Sequence, residues 1–235
     1  MRKKTQKNLL EHVKSTYNKI ADEFSQTRHY SWPEFIFFED YVKKPGVKIL
    51  DLGCGNGRFT KILPKGQKYL GIDISENLIE KAKKLHPEHE FKVGDILDLS
   101  GLEKEDFDVV ISLAAFHHIP STKSRIDALK NMHRVLKSDG TLILTVWNLW
   151  QPKYRKYIAK AFFRSILSAG NYHPYDTFIP WGKKKIPRYY HSFTPKEMEY
   201  LLKKAGFKLV EKHITKGKEK VKLHQGHNQI YICQK

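Results

Sequence analysis

Three things are scarce in this 235-residue chain: cysteine, long apolar runs and, in its last third, acidic residues. Cys54 and Cys233 alone supply neither a disulfide framework nor a metal-ligand set. The basic start, MRKKTQKNLLEHVKS, lacks the apolar stretch of a signal peptide, and no later run is long enough to span a bilayer. A reducing cytoplasm is therefore the expected compartment, without a membrane partner. Residues 148–235 hold nineteen Lys/Arg against five Asp/Glu, whereas residues 47–147 hold fifteen against fourteen and residues 1–46 nine against six. The net charge of +18 thus lies mostly in the C-terminal third, as expected where an extended anion docks. Lysines that only decorate solvated faces would give the same count. The length fits one domain with a sizeable core.

Against these absences stands one dense stretch, Val47 to Gly57, VKILDLGCGNG. Val47, Ile49 and Leu50 read as a buried strand that ends in Asp51 and breaks into Gly53, Gly55 and Gly57. Missing side chains there let a ligand lie on the backbone, and Arg58 to Leu63 is expected to continue as a helix. A nucleotide-like ligand belongs at the carboxyl end of such a strand. The third glycine of a dinucleotide site is missing, since G-x-G-x-G replaces G-x-G-x-x-G. Tyr69 to Ile72 ends in Asp73 about twenty residues on, where an acid can accept from ribose hydroxyls. Asp73 could instead cap the helix Ser75 to Leu85, a role Ser75 can fill. Glu90 to Val93 then ends in Gly94-Asp95-Ile96-Leu97.

The D-x-G-x-G-x-G turn resembles motif I of the class I methyltransferases that use S-adenosylmethionine, whose ligand has no phosphate to cradle. The resemblance implies a seven-stranded, mostly parallel α/β Rossmann-like sheet with a terminal antiparallel hairpin and helices on both faces. It carries cofactor binding onto Asp51, Gly53, Gly55, Asn56, Asp73, Ile74, Asp95, Ile96 and Leu113. Phe107 to Leu113 is the apolar strand that delivers Ala114 to Ile119 to the same edge. Ser121 to Lys137 reads as a helix that turns at Ser138-Asp139-Gly140 into the strand Thr141 to Trp147.

Outside this core, Asn8 to Ile20 is an amphipathic helix, and Ser31 is expected to cap a second one with Pro33 in its first turn. The run from Tyr17 to Arg28, Y-N-x-I-A-x-x-F-S-x-T-R, followed by Trp32-Pro33, resembles the methyltransferases that esterify 5-carboxymethyluridine at the tRNA wobble position. His117-His118 and Arg188-Tyr189-Tyr190-His191 extend that resemblance. Paired histidines without matching ligand spacing do not make a metal site. The resemblance implies Arg28, His117, Trp147, Arg188 and Tyr189 around the substrate, with His117 rather than His118 facing it. It also implies tRNA, through its anticodon loop, and a small zinc-binding activator subunit as partners.

The chain divides into an N-terminal helical cap (1–46), a cofactor core (47–147), a basic aromatic insertion (148–190) and a C-terminal helix and hairpin (191–235). Within the insertion, Lys153 to Leu167 is expected to form a basic helix, followed by an aromatic loop with Tyr172, Tyr175, Phe178 and Trp181. Cations beside stackable rings suit single-stranded RNA. Thr194 to Glu197 has capping-box spacing, and Phe207 to Ile214 pairs with Gln229 to Cys233. A carboxylate nucleophile is ionised near pH 7 and needs no general base, which fits an edge offering histidine, arginine and aromatics. A methyltransferase acting on a small acid, quinone or lipid precursor would use the same core. A non-catalytic RNA-binding module would not need the acids Asp51, Asp73 and Asp95.

Overall fold

In the computed structural model, which describes residues 1–28 and 30–235, the central strands are buried nearly continuously, because helices cover both faces of the sheet. Strands β1 (Lys48–Leu52), β2 (Lys68–Asp73), β3 (Glu90–Val93), β4 (Phe107–Leu113) and β5 (Leu136–Trp147) run parallel. In β1, Leu50 points into one apolar layer and Ile49 into the opposite one, each fully buried. Burial of such a side chain contributes about 1.5–3 kcal/mol.

The insertion contributes β6 (Asp176–Trp181) and β7 (Ile186–His191), an antiparallel pair apart from the main sheet. The main sheet is completed by β8 (Lys208–Lys216), the two-residue β9 (Glu219–Lys220) and β10 (Asn228–Gln234). Its order is β3-β2-β1-β4-β5-β10-β8-β9, with β10 antiparallel to both β5 and β8. Seven full strands and the short β9 match the expected class of sheet. Helices α1 (Lys3–Gln26), α2 (Glu39–Val42), α3 (Glu76–Leu85), α4 (Thr122–Val135), α5 (Arg155–Leu167) and α6 (Pro195–Lys204) complete the fold. Among the described residues no helix is long and apolar enough to cross a membrane.

Several local expectations are corrected. Helix α1 is longer than Asn8 to Ile20, because neither glycine nor proline interrupts residues 3–26. Ser31 does not cap the next element, a 3-10 turn over Pro33–Phe37 entered from Trp32 without a side-chain cap. Arg58–Ile62 is likewise a 3-10 turn. Ser138-Asp139-Gly140 lies inside β5, which begins at Leu136, as a bulge: the register jumps from Phe107–Leu136 to Val109–Thr141. Of the aromatic loop of the insertion, Tyr172 and Tyr175 do lie in a loop, whereas Phe178 and Trp181 belong to β6 of the β6–β7 hairpin. By contrast, Thr194 Oγ1 accepts from the Glu197 N–H at 3.2 Å, and Ser75 Oγ from the Leu78 N–H at 3.2 Å, as capping requires.

A buried charge network fixes that hairpin. Asp176 Oδ1 accepts from the Tyr189 hydroxyl at 2.8 Å and from His191 Nδ1 at 2.9 Å, and lies 3.6 Å from Arg125 Nη2. His191 Nε2 reaches Glu197 Oε1 at 2.9 Å, tying the hairpin to α6. Arg125 of α4 donates through Nε to the Ile119 carbonyl at 2.9 Å. Burial alone would raise the Asp176 pKa, but the His191 hydrogen bond and nearby cations outweigh it and hold it below its usual value. Asp176→Ala leaves Arg125 buried with one counter-charge fewer and is expected to cost about 3 kcal/mol or more, measured by urea denaturation.

Candidate active site

The carboxyl ends of β1, β2, β4 and β5 open into a cavity of about 670 Å³, roofed by α1 and closed on one side by β7. Gly53 and Gly55 make the first turn possible. At Gly53 (φ +79°) an added Cβ would lie 2.2 Å from the Ala115 Cβ, so any side chain there collides with the β4 loop. Gly55 (φ +58°) turns its N–H onto Asp73 Oδ2 at 2.9 Å. Asp73 Oδ1 accepts from the Ser75 N–H at 2.9 Å. Each carboxylate oxygen keeps a second lone pair, which is what two ribose hydroxyls require. Asp95 Oδ1 accepts from the Leu97 N–H, and half-buried Ile74 and Ile96 flank it with apolar surface for a flat base. The donor set and the glycine cradle therefore fit S-adenosylmethionine, and Asn56 and Leu113 line the same cavity.

Helix α1 is held over this cradle by polar side chains. Asn56 Nδ2 donates to Ser25 Oγ at 3.0 Å, and Asn18 accepts from Ser75 Oγ at 2.6 Å while donating to Glu76 at 2.7 Å. The cap thereby places Tyr17, Phe24 and Arg28 on the cavity wall.

On the far wall stand the two histidines. His117 Nδ1 accepts from the Trp147 N–H at 3.1 Å, so in the neutral ring the proton is on Nε2. His118 is the opposite tautomer: its Nδ1–H donates to the Tyr189 carbonyl at 2.6 Å, and Nε2 accepts from the Tyr17 hydroxyl at 2.7 Å. Burial holds both rings neutral, with His118 lowered to about 3 and His117 well below its ordinary value. Both line the cavity, but His118 has both ring nitrogens engaged. Ala114, just after β4, has φ +55°, a strained conformation at the active edge.

The cations are the least ordinary feature. Arg188 is 3% exposed, forms no ion pair among the described residues, and has a buried Nε without a hydrogen-bond partner. Its guanidinium lies 5.1–5.3 Å from the ring centroids of Trp147, Tyr190 and Trp181, and its Nη1 is 3.5 Å from the Tyr17 hydroxyl. Arg28 rests on Phe24 at 4.5 Å, and burial followed by the charge of Arg188 lowers its pKa. Arg58 lies over Trp32 at 5.3 Å with its pKa lowered to about 10, by burial and then by Arg28. Trp147 and Tyr190 stack at 5.2 Å, 13° between planes.

Arg28, His117, Trp147 and Arg188 therefore meet at one cavity, and Tyr189 does not. On strand β7, Arg188 and Tyr190 share the cavity face, while Tyr189 points the other way onto Leu9 and Val13 with its hydroxyl on Asp176. The correction follows from reading R-Y-Y-H as a strand, where period two pairs Arg188 with Tyr190. Tyr17 and Arg58, which line the cavity, were also missed as site residues. Tyr17 opens the N-terminal signature, and that was its one signal.

Residues 50–144 match the methyltransferase domain family. A solved S-adenosylmethionine-dependent methyltransferase from Methanosarcina mazei superposes with TM-score 0.70 at 24% identity, covering 85% of this chain and 96% of that one. A methyltransferase solved in complex with the Haloferax volcanii Trm112 methyltransferase activator superposes with TM-score 0.65 at 18% identity, over 93% and 96% of the two chains. With this fold and cradle, the chain carries a methyltransferase domain on the class I fold, with S-adenosylmethionine as its cofactor. Within that class it is similar to the tRNA (carboxymethyluridine(34)-5-O)-methyltransferase of Saccharomyces cerevisiae, 32% identical over 73% of this chain and 56% of the relative. The Schizosaccharomyces pombe protein of the same name is 28% identical over 86% of this chain and 90% of its own length. The chain thus spans little more than half of the first relative.

Asp51, at the base of the cradle, accepts from the Tyr69 hydroxyl at 2.8 Å, and burial pushes its pKa up to about 7. The folded protein keeps that proton to about pH 7, whereas an unfolded chain releases it near about pH 4. Stability attributable to Asp51 is therefore full below about pH 4 and falls as pH rises toward 7, by up to about 1.4 kcal/mol per pH unit. Asp51→Asn is expected to reduce that slope in urea denaturation between pH 4 and 8, leaving the part due to Asp73, whose pKa burial also raises.

Proposed function

We propose that this protein methylates the carboxylate of a 5-carboxymethyl-type uridine at the wobble position of tRNA, giving the methyl ester. The observation that carries this reading is the buried, carboxylate-free Arg188 beside Arg28 on the cavity wall. Two like charges facing one space call for an anion between them. The names of the yeast relatives support the same substrate.

Bound S-adenosylmethionine supplies a methyl group on a sulfonium, which a nucleophile displaces in line. Arg188 and Arg28 hold the substrate carboxylate, which is already ionised, so no side chain has to remove a proton. Both histidines are neutral, and neither has a free basic nitrogen: Nδ1 of His117 and Nε2 of His118 already accept hydrogen bonds. His117 Nε2–H is left as a donor to the polar edge of the base. The Trp147–Tyr190 stack walls the site with apolar surface and excludes water from the reacting carboxylate, while Trp181 packs on the Arg188 guanidinium. The partners in this reading are tRNA in the cytoplasm and a small zinc-binding activator, the last supported by the neighbour solved with its Trm112 activator.

The test is transfer of labelled methyl to bulk tRNA, with and without mild alkali, run with and without an activator subunit. Base-labile counts are expected. Alkali-stable counts contradict the carboxylate, and counts on small acids but not on tRNA contradict the RNA substrate. Arg188→Ala is expected to lower kcat/KM by about 100-fold or more, the cost of removing a buried charged partner, and Arg188→Lys to recover little of it. Steady-state kinetics check both.

A further inference from the structure

The cavity continues past the arginine pair. Beyond Trp147 it opens to a mouth lined by Asn148, Gln151, Lys153, Tyr154, Gly217 and His227. Backbone hydrogen bonds pin three stretches of chain together there. The Asn148 N–H donates to the His227 carbonyl at 2.8 Å, and the His227 N–H to the Thr215 carbonyl at 2.6 Å. Asn148 Nδ2 donates to the carbonyls of Leu223 and Gly226. This bracing fixes the positions from which Lys153, Lys216 and His227 project.

Lys153 and Lys216 are exposed and in no ion pair among the described residues, whereas Lys14, Lys48, Lys137 and Lys212 are each paired with an acid. Burial lowers the pKa of His227 first, and the charges of Lys153 and Lys216 lower it further. The nearby acid is Glu34, which is 2% exposed and accepts from the Gly217 N–H and Asn228 Nδ2. From Lys153 the cations continue outward. Lys156 and Lys160, both exposed, follow along the first turns of α5, about one per 5.4 Å turn. Beyond them Phe162 and Phe163 stand 51% and 64% exposed. A small free acid has no contact to make with such a row, while a phosphate backbone has one at every turn.

We propose that this mouth is a phosphate subsite, in which Lys153, Lys216 and His227 seat the backbone phosphate beside the nucleotide whose base enters the cavity. The first turns of α5 then track the phosphates that follow. The proposal rests on the RNA reading and deepens it: phosphate contacts here set the register, and the arginine pair inside reads the modification.

The experiment compares wild type with the double variant Lys153→Glu, Lys216→Glu. The probes are an anticodon stem-loop RNA carrying 5-carboxymethyluridine and the free nucleoside 5-carboxymethyluridine, which lacks phosphate. Stem-loop affinity is expected to fall at least tenfold at about 0.1 M salt, and the slope of log K against log salt to shrink by about 1 to 2. Loss of kcat/KM on the stem-loop should exceed the loss on the nucleoside at least tenfold, mainly through KM. Lys104→Glu, a single charge reversal ahead of the amino end of β4, is expected to keep the wild-type slope.

Equal losses on both probes, an unchanged slope in the double variant, or a slope change with Lys104→Glu as large as in the double variant would each overturn the subsite. A wild type that binds S-adenosylmethionine but methylates neither probe, with activator present, overturns the RNA reading itself, and the subsite with it.

Discussion

A guanidinium buried without a counter-ion among the described residues is the constraint on which the rest of this structure depends. Arg188 is almost fully inside, where an unpaired charge is costly. Three aromatic faces, Trp147, Tyr190 and Trp181, soften that cost without cancelling the charge. Holding such a cation in place requires rigid support, and the hairpin that carries it is anchored through Asp176, His191 and Arg125 to α4 and through Glu197 to α6. The same strand reaches the histidine pair, since the Tyr189 carbonyl accepts from His118, whose other nitrogen takes the Tyr17 hydroxyl of α1. Cap, hairpin and core therefore meet at one point.

The cavity is electrically divided. Its inner end holds Asp51 and Asp73, carboxylates whose pKa values burial raises and whose acceptors suit an amino group and ribose hydroxyls. Its substrate side holds Arg28 and Arg188, whose mutual repulsion favours an anion. A cationic methyl donor thus meets acidic acceptors, and the proposed carboxylate acceptor meets cations. The histidines between them are neutral and add hydrogen-bond direction without charge.

The cofactor half was legible because its chemistry is backbone chemistry. Gly53 has no room for a Cβ, and an acid at the end of each of two adjacent strands follows from what a ribose needs, so residue type and spacing pointed to a nucleotide-like ligand and the resemblance named it. The substrate half was legible only where a residue stood in a resembling signature, as Arg28 and Arg188 did. Tyr190 was hidden because the insertion read as a loop, and without strand periodicity nothing distinguishes it from Tyr189. The bulge at Gly140 and the 3-10 segment at Arg58 show tertiary packing reshaping local propensity: Leu136 is already pinned in the sheet against Phe107, so the reversal is accommodated inside β5.

The central claim is that the arginine pair reads a carboxylate, and competition binding tests it most directly. Inhibition constants would be measured for 5-carboxymethyluridine and for its neutral amide, 5-carbamoylmethyluridine, against wild type and Arg188→Ala. The account predicts that wild type prefers the acid by about 30-fold or more, equivalent to about 2 kcal/mol, and that the preference collapses in the variant. Equal binding of acid and amide by the wild type, or a preference that survives loss of Arg188, would contradict it.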